Sequence, residues 1–327
     1  MTDSTPTPTT PYRELPQSDG VRHAWGAWGA DDVFGCLNRL DEAAALRGRQ
    51  CMTRGVAFSL NWDMKLPEPA LFRRPSMRHE TVVSANGSSL NDVISDWNTQ
   101  ASSQWDGFRH VTWAGHGHYG GHDRHSMHYW AERGIVGRCV LADVARWRAA
   151  QGRQIDYNRP DPVTAADLRA TLDSAGVKVE PGDILLIRLG WIEWYGTADA
   201  ATRAAMTTHE ALVTPGVSAR EEVAELFWDW QLAAVAADNP ALEAWPQRAE
   251  AGPGAETDAA GRWPVHLPVT LHWRLLPALG LPIGELWDLD ALAADSAAHR
   301  RYDGLLTSAP LHLTSGAASS ANALVLR

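Results

Sequence analysis

Between residues 138 and 238 short apolar runs alternate with amphipathic segments. RCVLADVARW (138–147), PGDILLIRLGW (181–191) and LAAVAAD (232–238) read as buried strands. Between them lie TAADLRATLDSAG (164–176) and SAREEVAELFWDW (218–230), which read as helices capped by Thr164 and Ser218, the first stopped by Gly176. Strands and helices that alternate in this way, without internal repeat, restrict the chain to the α/β class.

The remaining elements extend that alternation. A short helix is expected over 41–50 and a strand over GVAFSLNWDM (55–64), followed by a Pro-rich loop to Pro75. LHWRLLPALG (271–280) reads as a helix that Pro277 bends or shortens. A polar-apolar segment, 284–297, leads to a closing strand pair, DGLLTSAPLHL and NALVLR. Residues 1–20 begin Thr/Pro-rich with no apolar period and are expected to be a flexible or strapped arm; 21–327 then form one domain. QRAEAGPGAETDAAGR (247–262) has the composition of a mobile insertion.

A net charge of −10 offers no basic face for nucleic acid, and no apolar run reaches the ~20 residues of a membrane span. With no basic-then-apolar leader at the N-terminus, a cytoplasmic location is expected. Cys36, Cys51 and Cys139 match no zinc spacing and are expected to be reduced and buried. The sequence has no G-x-S-x-G elbow, Walker loop or dinucleotide fingerprint.

Chemistry concentrates in QWDGFRHVTWAGHGHYGGHDRHSMHYW, where six of the thirteen histidines lie between His110 and His128. Imidazoles in such density suggest a metal or proton transfer. Asp106 and His110, four apart, are read either as two metal ligands or as a hydrogen-bonded pair with a structural imidazole. His116 and His118 bracket Gly117 and would point the same way in an extended segment, as a ligand, a general base or solvated groups. His122, His125 and His128, three apart, read as a solvated or interfacial helix edge, with His125 within reach of a pocket. Glu285, set among apolar residues, needs a partner, a metal or a proton if buried. Asp238, Asn239 and Glu243 follow a buried strand, where α/β proteins place ligand-binding groups. Among sixteen tryptophans, Trp105, Trp113 and Trp130 are read as pocket walls or core.

Five segments together resemble the cyclase family, a metal-dependent hydrolase superfamily that includes bacterial kynurenine formamidases and isatin hydrolases. WGADDVFGCLNRL (28–40) is similar to its WG-x-x-D-x-x-G-x-L-N-x-L opening. SQWDGFRHV (103–111) and HYGG (118–121) resemble the Q-[FW]-D-[GS]-x-x-H and Y-N-G of its longer-chain branch, carried here as Q-W-D-x-x-x-H. LHWRLLPALGLPIGELWDLDAL (271–292) and APLHLTSGAASSANALVL (309–326) are similar to its closing helix, strand and loop. In short-chain members the metal motif is H-x-G-T-H-x-D with a later catalytic His. On this chain those positions are Asp106, His110, Thr112 and His116, so two of three ligands differ.

The resemblance implies a swivelling β/β/α-type domain, α/β, with a central barrel-like sheet and outer helices, assembled as a homodimer or homotetramer. It implies zinc or manganese held by Asp106, His110 and Glu285, with His118 or His116 as the fourth group. His116 or His272 is then the acid/base, and Gln104, Trp105, Trp113 and Tyr119 line the substrate pocket. The expected reaction is hydrolysis of an amide, lactam or lactone of a cyclic or aromatic small molecule. The alternatives are a cyclase, dehydratase or other lyase of secondary metabolism in the same pocket, with or without metal, and a binding protein on an enzyme scaffold.

Overall fold

The computed structural model describes residues 5–246 and 270–327; the insertion expected over 247–262 lies outside them. Nine strands form one sheet: β1 (Ala57–Ser59), β2 (Gln104–Asp106), β3 (Ile135–Asp143), β4 (Ile184–Arg188), β5 (Ala234–Ala237), β6 (Ile283–Glu285), β7 (Asp303–Ser308), β8 (Ala318–Ser320) and β9 (Ala323–Leu326). Their order across the sheet is β8-β2-β6-β5-β4-β3-β7-β9-β1. The middle four, β6-β5-β4-β3, are parallel, and antiparallel wings flank them on both sides. The sheet curls into a half barrel with helices around it, within one α/β domain.

The parallel centre accounts for the sequence pattern of its strands. Both faces are covered, so β4 (ILLIR) and β5 (AVAA) are buried at every position instead of alternating. Crossovers between parallel strands need helices, supplied by α1 (Ala165–Ala175) between β3 and β4 and α2 (Glu221–Asp229) between β4 and β5. Thr164 and Asp167 form a capping box at the start of α1, and Gly176 ends it in the left-handed region.

Several boundaries differ from expectation for identifiable reasons. β3 ends at Asp143 because that side chain accepts the Arg146 N–H and starts a helix over Val144–Ala150. α2 begins at Glu221, after Gly216–Val217 have paired with Pro162–Val163; Ser218 therefore lies before its N-cap, which is Arg220. The strand expected over 55–64 is realised only as Ala57–Ser59. A hairpin, Arg78–Val83 with Leu90–Ser95, follows the Pro-rich loop and is nearly all exposed. Pro277 has no N–H to give, and beyond Leu271–Trp273 the helix widens into a π-helical stretch, Arg274–Leu279.

Gly280 ends that stretch at φ +63, and a Cβ there would sit 2.6 Å from the Tyr119 ring. Residues 5–20 are laid against the body: Trp228 Nε1 donates to Thr10 O, the Tyr12 N–H to Asp229, and Arg13 pairs with Glu225. All three cysteines are free and buried. Among the described residues no helix is long and apolar enough to cross a membrane.

Candidate metal centre

β2 builds the floor of the site. Successive strand side chains alternate faces, so Gln104 and Asp106 share one face while Trp105 points to the other. On that far face Trp105 packs edge-on against Trp130 and Trp287, and its Nε1 donates to Ser308 Oγ. The pocket-wall role expected for Trp105 is thus corrected to core. Immediately after β2 the His110 N–H closes a turn onto Gly107 O, bringing the imidazole back over Asp106.

From the other side come β6, ending at Glu285, and the helical turn that begins at Leu271. His272 Nε2 lies 3.5 Å from Asp106 Oδ2 and 3.1 Å from Glu285 Oε1. His272 Nδ1 is 2.7 Å from Glu243 Oε2. Gln104 Nε2 donates to Glu285 Oε2 at 2.6 Å, and Gln100 Nε2 donates to Asp106 Oδ1 at 2.7 Å while lying 3.0 Å from His110 Nδ1. Gln104, Asp106 and Glu243 are fully buried and Glu285 nearly so.

Asp106, His110 and His272 each offer one ligand atom, all within 4.8 Å of one another. Asp106 Oδ2 and Glu285 Oε1 are buried, and among the described residues neither receives a well-aligned hydrogen bond. Orphaned carboxylate oxygens beside two imidazoles form a donor set that suits a divalent transition metal.

The electrostatics separate the two facing carboxylates. Burial pushes Asp106 up, but the charges of His110, His272 and Arg74 outweigh it and hold the group at about 2. Burial and then the Asp106 charge raise Glu285 to about 7 against the pull of His272 and Arg74. For His272, burial alone would lower the pKa, but Glu243, Asp106 and Glu285 raise it well above the usual imidazole range. Burial lowers His110, with Asp106 opposing.

The other expected residues fall elsewhere. His116 Nε2 lies 2.8 Å from Asp19, with its ring against Trp25 and Trp113. His118 faces Val111 O and Asp123. His272, and neither of these two, lies with Asp106 and His110 in the group that could hold an ion, and Thr112 is exposed. Trp113 is buried with Val21 and Ala278, and Tyr119 packs on Phe108, so both are corrected from pocket wall to core. His122 and His125 precede the helix at Met127–Arg133 instead of forming its edge; His125 is buried with Nε2 2.6 Å from Tyr119 O.

Asp238 accepts the N–H groups of Leu189, Gly190 and Trp191 in the turn after β4, and Asn239 donates to Pro215 O and Leu242 O, bracing the turn that carries Glu243. Gln100 and Arg74 carried no sequence signal, since a polar residue in a Ser/Thr/Asn-rich loop and an arginine before proline read as surface.

The family model described as "Putative cyclase" matches residues 41–244, more than half of the chain. A solved structure described as a novel cyclase is 26% identical with a TM-score of 0.74, over 93% of this chain and 99% of its own. Isatin hydrolase A from Ralstonia solanacearum is 17% identical with a TM-score of 0.58, over 87% and 95%. An isatin hydrolase bound to the product analogue thioisatinate is 16% identical with a TM-score of 0.53, over 88% and 99%. The two isatin hydrolases share the fold. Among curated proteins no relative matches.

Proposed function

Since the chain belongs to the cyclase family, we propose that it is a metal-dependent hydrolase opening an amide, lactam or lactone of a cyclic or aromatic small molecule. The observation that carries this reading is the convergence of Asp106, His110 and His272 on one point, beside orphaned oxygens of Asp106 and Glu285. Asp106, His110 and His272 hold the metal, zinc or manganese. When bound, it supplies Lewis acidity toward a carbonyl oxygen and a water molecule.

The protein's own groups do the rest. Glu243 accepts the Nδ1–H of His272, which orients the ring and leaves the Nε2 lone pair facing Asp106 and Glu285. Gln104 anchors Glu285 by Oε2. The free Oε1 takes a proton from the attacking water and returns it to the departing nitrogen or oxygen. Glu285, expected as a ligand, thus becomes the proton carrier in place of His116.

The test is metal content by plasma mass spectrometry, with turnover on a panel of aromatic amides, lactams and lactones. Untagged protein is expected to carry close to one zinc or manganese, and Asp106→Ala to lose both metal and activity. Glu285→Gln should keep the metal and lose about 10²–10⁴-fold in turnover, the usual contribution of general acid–base catalysis. Full activity in either variant would sink this assignment.

A second reading draws on His272, whose contacts with three carboxylates satisfy an imidazolium without any ion. It is a cyclase or lyase running on acid–base chemistry alone. Undiminished activity after chelation would select it.

A further inference from the structure

The loop before the exposed hairpin contains a feature that metal binding does not require. Phe72 and Arg73 are consecutive non-glycine residues in the left-handed region, at φ +57 and +56. Non-glycine residues pay a steric cost in this region, so two in succession need support from the surrounding structure. The Arg73 N–H bonds Thr207 O at 2.7 Å, which fixes the bend. Its result is to turn Arg74 inward. The Arg74 guanidinium lies 4.9 Å from the Phe72 ring centroid and donates through NH1 to Gln100 O. Gln100 is the residue whose side-chain amide spans Asp106 and His110. A guanidinium has five N–H donors. Among the described residues this one uses a single donor, although its charge reaches Asp106, Glu285 and His110.

We propose that Arg74 is the docking point for a carboxylate beside the metal centre, making this a site for organic acids. The proposal rests on the hydrolase reading for what the site does, and on its own geometry for what it binds. A planar fork of N–H donors matches two carboxylate oxygens, and stacking on Phe72 holds that plane still. The carboxylate has two sources: one that the substrate already carries, or the one that hydrolysis releases from the cleaved carbonyl.

The experiment is calorimetric titration with benzoate and with its neutral counterpart benzamide. It uses wild type, Arg74→Met and Arg74→Lys, each metal-loaded and chelator-treated, with metal content measured on the same samples. Wild type is expected to bind benzoate at least tenfold more tightly than benzamide. Arg74→Met should erase that preference without losing metal, and Arg74→Lys, a point charge without the fork, should keep part of it. If Arg74 only offset the charge of Asp106 and Glu285, its removal would change metal affinity and leave the benzoate preference intact; that result overturns the proposal. So does a wild type with no preference, which decides the matter even if Arg74→Met fails to fold. Benzoate binding that survives chelation identifies a carboxylate carried by the substrate. Binding that requires the metal identifies the released one. Wild type that holds no metal as purified and takes up none when metal is added, yet still prefers benzoate, would sink the hydrolase reading and leave this one standing.

Discussion

At the scale of single residues, the Glu243–His272 pair decides how the centre behaves. A ligand imidazole whose other nitrogen is fixed by a buried carboxylate loses its choice of tautomer and of ring angle. Glu243→Gln keeps a hydrogen-bonding group of the same size but not the charge. Metal affinity in that variant should fall about 10–100-fold, read by competition with a chromophoric chelator, while the fold survives. An unchanged affinity would mean that the pair is only packing. The sequence held Asp106, His110, Glu285 and Gln104 in plain view, because they lie on two short motifs. It was silent on what brings His272 to the place of a proposed ligand, since that depends on a helical turn 166 positions beyond Asp106 closing over β2. The histidines of 116–128 stand out by their density along the chain alone; their neighbours are Asp19, Val111 O, Tyr119 O and aromatic rings.

At the scale of elements, the start of α1 carries a testable electrostatic load. The buried Asp167 accepts from the Thr164 N–H and from Arg148 and Arg153. Burial alone would raise its pKa, but these donors more than compensate and hold it below the usual carboxylate value. A depressed folded-state pKa gives stability that is present above the unfolded value of about 4 and is lost as pH falls through the folded value. Asp167→Asn is therefore expected to lose about 1–3 kcal/mol at pH 7 by urea unfolding. The gap should narrow as the pH falls below about 4; a gap constant with pH would rule out the charge as its source. This helix was legible because capping is local. β2 was not, because three residues, QWD, have no period to read and exist as a strand only between β6 and β8.

At the scale of the whole molecule, the proposed metal would tie site occupancy to global stability. An ion bound only by the folded chain adds stability that grows with its concentration over Kd, about 4 kcal/mol at a thousandfold excess. Chelation should lower the melting temperature of wild type by several degrees, reversibly on adding zinc or manganese, and leave Asp106→Ala unmoved. Equal melting with and without chelator would argue that no site of this kind forms. The α/β class was readable from the alternation of runs, whereas the curl of the sheet and its antiparallel wings were not. They arise from pairings such as β7 with β3, which join residues about 165 positions apart.

The spread of the site along the chain also sets a schedule. Asp106 and His110 leave the ribosome long before His272 and Glu285, and the strand between β5 and β2 that unites them is among the last third to be made. A growing chain therefore presents two of the three proposed ligands, too sparse a set to hold an ion firmly. Loading would then be the closing act of maturation, because a chain cut short of residue 272 lacks a proposed ligand however much metal it is fed.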